Sequence, residues 1–260
     1  MTGDEVSAGT EAAPGWELTG TDRERYVERM FDGIAKPYDR LNRVISLGRD
    51  RRWRAVAVEM SGVRAGDNVA DVGCGTGDLA FDFARAVGES GRVVGLDLSP
   101  GMLQVATAKH AASDVPWLSL HRANAAATGL PDAWADVVGM GWVLRNVGDR
   151  APVYKEIQRI LRPGGRFVCI DMSRPGNPVS RLGNWMYRHL AMPVLARFSG
   201  GDRSAYRYLA SSTDHFPDGP DLAAELAQAG FKDVTWRSLM LGSLAVHVAT
   251  TAPVAGMGRA

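Results

Sequence analysis

The chain has little cysteine, no excess of either charge and no long apolar run. Across 260 residues there are two cysteines, Cys74 and Cys169, each inside an apolar or glycine-rich stretch. Two thiols build neither a disulfide framework nor a cysteine zinc site, which points to a reducing, cytoplasmic setting. Lys and Arg number 30 against 29 Asp and Glu, a net charge of +1. Phosphate contacts need a basic excess, so a nucleic-acid partner is not expected. The five histidines (His110, His121, His189, His215, His247) lack the tight spacing of metal-ligand motifs, and no metal is expected either. No apolar run nears the roughly 20 residues that span a bilayer, and residues 1–20 are acidic and unlike a signal peptide.

What is there is apolar residue enough, at 45%, for the core of one large domain or two small ones. Residues 1–20 lack apolar periodicity and read as a disordered tail, as do 252–260. Thr21 and Glu24 form a capping-box pattern, and the helix behind it lines up Tyr26, Val27, Met30, Phe31 and Ile34. Pro37 should interrupt it. A second helical stretch runs from Tyr38 to a break at Gly48, and a third from Arg52 to Met60, completing a helical cap over 21–67. From Asn68 the pattern becomes strand, glycine turn and helix, repeated through residue 173. That alternation specifies a doubly wound α/β, Rossmann-like sheet. Residues 174–216 are aromatic and basic with helical spacing, too long for a connecting loop, and read as a helical lid insertion. Residues 217–251 return to the sheet with a helix and two strands close enough to pair as a hairpin, so the sheet should end in an antiparallel strand.

The richest local signal is Asp71-Val72-Gly73-Cys74-Gly75-Thr76-Gly77-Asp78, between the first strand and its helix. Alternate glycines let a backbone approach a ligand closely, and the second strand ends in Asp97, placed to accept from a ribose diol. A pattern G-x-G-x-x-A from Gly75 to Ala80 leaves a nicotinamide dinucleotide open. Against it, Asp71 would set a negative charge beside a pyrophosphate, and no hydride-transfer set is recognisable downstream. S-adenosylmethionine, with a sulfonium and an ammonium, suits an acidic loop better. Leu98 and Met102 follow Asp97 and fall near an adenine, although Met102 also fits a core. Asn124-Ala125, after the third strand, fall where such folds read the adenine edge. The bland alternatives are a ligand-free tight turn for the glycines and a helix cap for Asp97; Ser99 can do that capping instead.

Tyr38 to Trp53 (YDRLNRVISLGRDRRW) resembles the first signature of the ubiquinone/menaquinone biosynthesis C-methyltransferases, and Arg159 to Phe167 (RILRPGGRF) is similar to the second. Leu144-Arg145-Asn146-Val147, Ala205-Tyr206-Arg207-Tyr208-Leu209 and Ala245-Val246-His247 also look like that family. The chain departs from the pattern at Leu41, Asp50, Gly141-Trp142 and Asp171-Met172, where the family shows Met, His, Ser-Phe and Glu-Phe. The resemblance implies a class I methyltransferase of about seven strands that uses S-adenosylmethionine, releases S-adenosylhomocysteine and methylates a ring carbon of a polyprenylated quinol. It places the cofactor on Thr76, Asp97, Asn124 and Ala125, with Gly141 at the serine position, and substrate handling on Arg145 and Asn146.

Carbon methylation of a quinol needs a phenolate, and a phenol near pKa 10 needs a base or a fixed positive charge at neutral pH. Arg145 is the candidate for that charge, with a surface ion pair as its plain alternative. Asn146 orients the same oxygen or merely shapes a loop. Asp39 is a candidate base or a helix cap, beside Tyr38. His247 faces the pocket or sits satisfied in the core. Trp142 and Met172, at strand ends, with Trp185 and Tyr206 of the insertion, are candidate substrate contacts. The insertion lines a channel for an isoprenoid tail and meets the membrane surface peripherally, or it packs on the sheet or a homodimer partner. Two rival functions share the scaffold: methylation of a soluble phenol or polyketide, and a cofactor-binding pericyclase without transfer.

Overall fold

The computed structural model describes residues 17–176, 178–186 and 212–253. The first tail, most of the insertion with Tyr206, and residues 254–260 lie outside them. Helix α1 (Gly20–Ile45) is one element where two were expected. Pro37 gives up its bond to the Gly33 carbonyl, but polar anchors at Asp32 and Asp39 hold the helix on both sides. The capping box does not form: Thr19 is the N-cap, without a side-chain bond, and Thr21 lies within the helix.

Helix α2 (Asp50–Ser61) leads to the alternating unit: β1 (Asn68–Val72), α3 (Asp78–Val87), β2 (Arg92–Asp97), α4 (Pro100–Ala111), β3 (Leu118–Arg122), β4 (Ala135–Gly141), α5 (Ala151–Ile160) and β5 (Leu161–Met172). Helix α6 (Pro178–Met186), α7 (Gly219–Gln228), β6 (Lys232–Leu239) and β7 (Leu244–Thr250) follow. Seven strands form one sheet in the order β3-β2-β1-β4-β5-β7-β6. The last strand is antiparallel, as expected, but it slots between β5 and β6 rather than forming the edge. The apolar LAVHVAT is almost wholly buried and KDVTWRSL mostly exposed, so the strand with most to bury takes the inner place.

Each face of the sheet has its own core. Phe83, Val137, Val168 and Val246 pack on the side covered by α2 and α3. Phe167, Ile157, Leu222 and Phe231 pack on the side of α5 and α7. Strand order reverses between β1 and its neighbours β2 and β4, and the loops leaving those strands diverge there. A crevice at the carboxyl ends of such strands is the default ligand site of an open α/β sheet.

Candidate active site

The crevice holds a cavity of about 230 Å³ lined by Gly73, Gly75, Asp97, Leu98, Met102 and Asn124 among others, and closed by one face of α1. A smaller hollow of about 50 Å³ adjoins it around Asp71, Thr76 and Asp39; Tyr38, Gly73, Gly75, Gly141 and Trp142 line both.

The glycine loop is shaped for a ligand. Gly75 has φ +55°, and a Cβ there would find open space, so its bareness serves the cavity rather than the packing. At Gly73 (φ +75°) a Cβ would strike Val143, so that glycine lets the loops after β1 and β4 close on each other. Gly77 does not line the hollow; it turns into α3 with its bare face toward Phe81 and Ala106. Asp97 Oδ2 accepts from the Gly75 N–H (2.7 Å) and Oδ1 from the Ser99 N–H (2.8 Å). Those bonds aim the carboxylate and leave each oxygen a lone pair for a diol. Ser99 caps α4 through its hydroxyl, which frees Asp97 from that task. Asn124 Oδ1 accepts from the Ala126 N–H at 2.9 Å, so its carbonyl shapes the loop that walls the cavity.

Asp71 is the oddity. It is fully buried, and neither carboxylate oxygen finds a hydrogen-bond partner among the described residues. Burial, then repulsion from Asp97, pushes its pKa up to about 8; the nearby Ala80 N–H, outside hydrogen-bond geometry, and the Arg54 charge oppose this without prevailing. A buried acid kept without a partner beside an open glycine cradle suits a cation. Together with Asp97, these features fit S-adenosylmethionine, whose ammonium and sulfonium supply the missing charge.

After β4, Arg145 and Asn146 share a 3-10 turn (Leu144–Asn146); Asn146 lines the larger hollow, and Arg145 beside it in the chain lines neither. The ion pair that was the plain alternative for Arg145 does form, but buried rather than at the surface: Nη1 donates to Asp171 Oδ1 at 3.0 Å, and the Arg145 backbone N–H donates to Oδ2 at 3.2 Å. Burial raises the Asp171 pKa and Arg145 pulls it back down. Asn146 Nδ2 donates to the Trp142 carbonyl (3.0 Å). Each still leaves one buried polar atom unpartnered among the described residues, Arg145 Nε and Asn146 Oδ1. Trp142 has φ +58°, strain for a non-glycine residue. Its N–H to Ile170 O bond (2.7 Å) helps hold the indole at the cavity wall.

Three expected site residues are placed elsewhere. His247 faces α7: its Nε2–H donates to the Gly219 carbonyl at 2.9 Å, Trp236 stacks on the ring, and burial lowers its pKa, so it is a neutral core histidine. Met172 shares the pleat of Ile170 and packs with the α2-side core. Trp185 lies 53% exposed on α6, away from both hollows. Asp39 lies at the site but is not a free base: Oδ1 accepts from the Thr76 hydroxyl (2.6 Å) and Oδ2 pairs with Lys109 (2.5 Å). Tyr38, bonded to Asn42, has its pKa raised by burial and stays a phenol. Asp50, at the family's histidine position, accepts from Ser46 and pairs with Arg54, fixing the turn between α1 and α2. Among the described residues no group of three potential ligands gathers for a metal.

A family model described as the ubiE/COQ5 methyltransferase family matches residues 19–251. The chain belongs to that family. It is an S-adenosylmethionine-dependent methyltransferase. It is 38% identical over 245 residues to the demethylmenaquinone methyltransferase of Symbiobacterium thermophilum, covering 92% of this chain and 98% of that one. Against the ubiquinone/menaquinone biosynthesis C-methyltransferase UbiE of Hahella chejuensis it is 37% identical, covering 89% and 94%. Among solved structures it is similar to a SAM-dependent methyltransferase from Aquifex aeolicus (TM-score 0.55, 18% identity, 81% and 97% covered). It is also similar to the (4+2) cyclase SpnF (TM-score 0.66, 16% identity, 91% and 98% covered). Identity that low speaks to fold alone, so a cyclase neighbour does not bear on the chemistry here.

Proposed function

We propose that this methyltransferase acts in quinone biosynthesis, moving a methyl group to a ring carbon of demethylmenaquinol. The observation that carries the reading is the pair of unsatisfied atoms on adjacent residues, a donor at Arg145 Nε and an acceptor at Asn146 Oδ1. A quinol hydroxyl completes both, donating a hydrogen bond to Asn146 Oδ1 and accepting one from Arg145 Nε, and on ionisation its proton passes to water. A guanidinium held there favours the phenolate and with it the nucleophilic ring carbon. Tyr38, neutral, supplies a further polar contact, while Trp142 and Phe31 supply flat apolar walls that keep water from the ring. S-adenosylmethionine, when bound, supplies an electrophilic methyl group. The names of the relatives support a naphthoquinol: the Symbiobacterium protein and others from Roseiflexus castenholzii and Lactococcus lactis carry the demethylmenaquinone name.

The test is purified protein with labelled S-adenosylmethionine and a panel of demethylmenaquinol, demethoxy-ubiquinol and short soluble phenols. Label should enter demethylmenaquinol, and only when that acceptor is kept reduced, because the oxidised quinone has no hydroxyl to ionise. Preferred transfer to a short phenol overturns the assignment.

No helix among the described residues is long and apolar enough to cross a membrane. Leu182, Trp185 and Met186 nonetheless stand 60%, 53% and 48% exposed along α6. With a prenylated substrate, we read that row as a peripheral contact with the bilayer surface. Wild type should co-sediment with anionic liposomes, and Leu182→Ala/Trp185→Ala should stay in the supernatant. No sedimentation by wild type ends the idea.

A further inference from the structure

Helix α1 meets the cavity with a stripe, Glu24, Val27, Phe31 and Tyr38, at helical spacing. Charged residues border that stripe on both sides, and each reaches a different loop. On one side Glu28 pairs with Arg122 at the end of β3 (2.6 Å), and Arg122 also donates to the Leu98 carbonyl (3.0 Å). One turn on, Asp32 Oδ1 accepts from the Ser99 hydroxyl (2.5 Å) and from the Gly101 N–H (2.9 Å), one step past the loop that carries Asp97. Two turns further, Asp39 holds Thr76 after β1. On the opposite border Arg23 donates to the carbonyls of Arg145 (3.1 Å) and Asn146 (3.2 Å), after β4. A Cβ on Gly148 would crowd the Arg23 stem, so the side chain lies close along that loop.

From this geometry we infer that Asp32 and Arg23 are positioning residues with separate tasks: Asp32 sets the donor end of the site, and Arg23 sets the turn that presents Arg145 and Asn146 to the acceptor. Asp32 holds the start of α4, hence Asp97, Leu98 and Met102. Through its bonds to the two main-chain oxygens of that turn, Arg23 fixes where the two side chains emerge. The Arg23 arm rests on the proposed quinol chemistry. The Asp32 arm needs the cofactor alone.

Two measurements separate the tasks: calorimetric binding of S-adenosylhomocysteine, and steady-state transfer to demethylmenaquinol at saturating donor. Asp32→Ala should raise the adenosylhomocysteine Kd and the donor KM about tenfold, the effect of losing a charge-assisted anchor, with kcat within about twofold. Alanine is the best helix former at an exposed site, so the variant keeps α1. Asp32→Asn, whose amide oxygen can accept the same two bonds, should bind nearly as wild type. Arg23→Ala should show the reverse: kcat down about tenfold and Kd within about twofold, with Arg23→Lys recovering part of the loss. Both alanine variants moving Kd and kcat together, in step with a fall in Tm, would make the residues mere staples and overturn the inference. So would Asp32→Asn binding as poorly as Asp32→Ala. Should wild type turn over no quinol, the proposed function fails while the calorimetry still decides Asp32.

Discussion

Asp71→Asn raises the Tm of the ligand-free protein at pH 8 and lowers its affinity for S-adenosylmethionine by about a hundredfold, the scale of a lost buried charge pair. The two effects have one cause. The Asp71 pKa rises from 3.8 in the unfolded chain to about 8 in the fold, chiefly because burial disfavours the charged form. Protonation therefore favours the folded state. That contribution is fully present below pH 4 and is lost as pH climbs toward 8, at about 1.4 kcal/mol per pH unit. Asparagine has no proton to lose. The gap in stability between variant and wild type should open from pH 4, widen to about pH 8 and then stay level. Melts across that range check the sign: a gap that closes with rising pH removes the account. Binding turns the same residue from liability to asset, because a cation beside the carboxyl draws off its proton. Calorimetry in buffers of different ionisation enthalpy should find about one proton released by wild type at pH 7 and none by Asp71→Asn. Wild-type affinity should rise up to pH 8 and fall beyond it, where the donor's own amino group loses its proton.

The donor half of this site was legible because its signals are local. Glycines at alternate positions, an acid at the end of each of the first two strands and Asn124-Ala125 after the third all lie within the alternating unit, and the sheet gathers strand ends at one edge. The fold was legible for the same reason: short apolar runs, glycine turns and helical spacing act over a few residues. What stayed hidden depends on pairs far apart in the chain. That Asp39 serves as a clasp and not a base follows from Thr76 and Lys109, on other elements. Arg23 and Asp32 carry no motif, since an Arg and an Asp on an exposed-looking helix are what any solvated face shows. The continuity of α1 through Pro37 rests on tertiary anchors that override the residue's local preference. The residues alone leave His247 open between pocket and core, because strand alternation gives two faces and does not say which one meets α7.

Arg145→Ala removes most turnover and destabilises the fold by about 3–5 kcal/mol, the usual consequence of stripping one partner from a buried pair. Asp171, 2% exposed on β5, then loses its cation partner, with no other among the described residues, and its already raised pKa must rise further. Loss of activity from that variant alone would not distinguish a missing phenolate partner from a damaged fold. The double variant Arg145→Met/Asp171→Leu separates them. It replaces the pair with apolar side chains of similar bulk, so most of the lost stability should return, because the desolvation cost of both charges goes with them. Activity should not return. Holding a phenolate without its guanidinium forfeits the fixed charge that lets a phenol of pKa near 10 ionise at neutral pH, a loss of at least about a hundredfold in kcat. Arg145→Lys should fall between, keeping the charge but losing the fork that serves Asp171 through Nη1 while leaving Nε for the acceptor. If the double variant regained turnover along with its Tm, Arg145 would be a structural counter-ion to Asp171, and the phenolate partner would have to be sought on Tyr38 or Asn146.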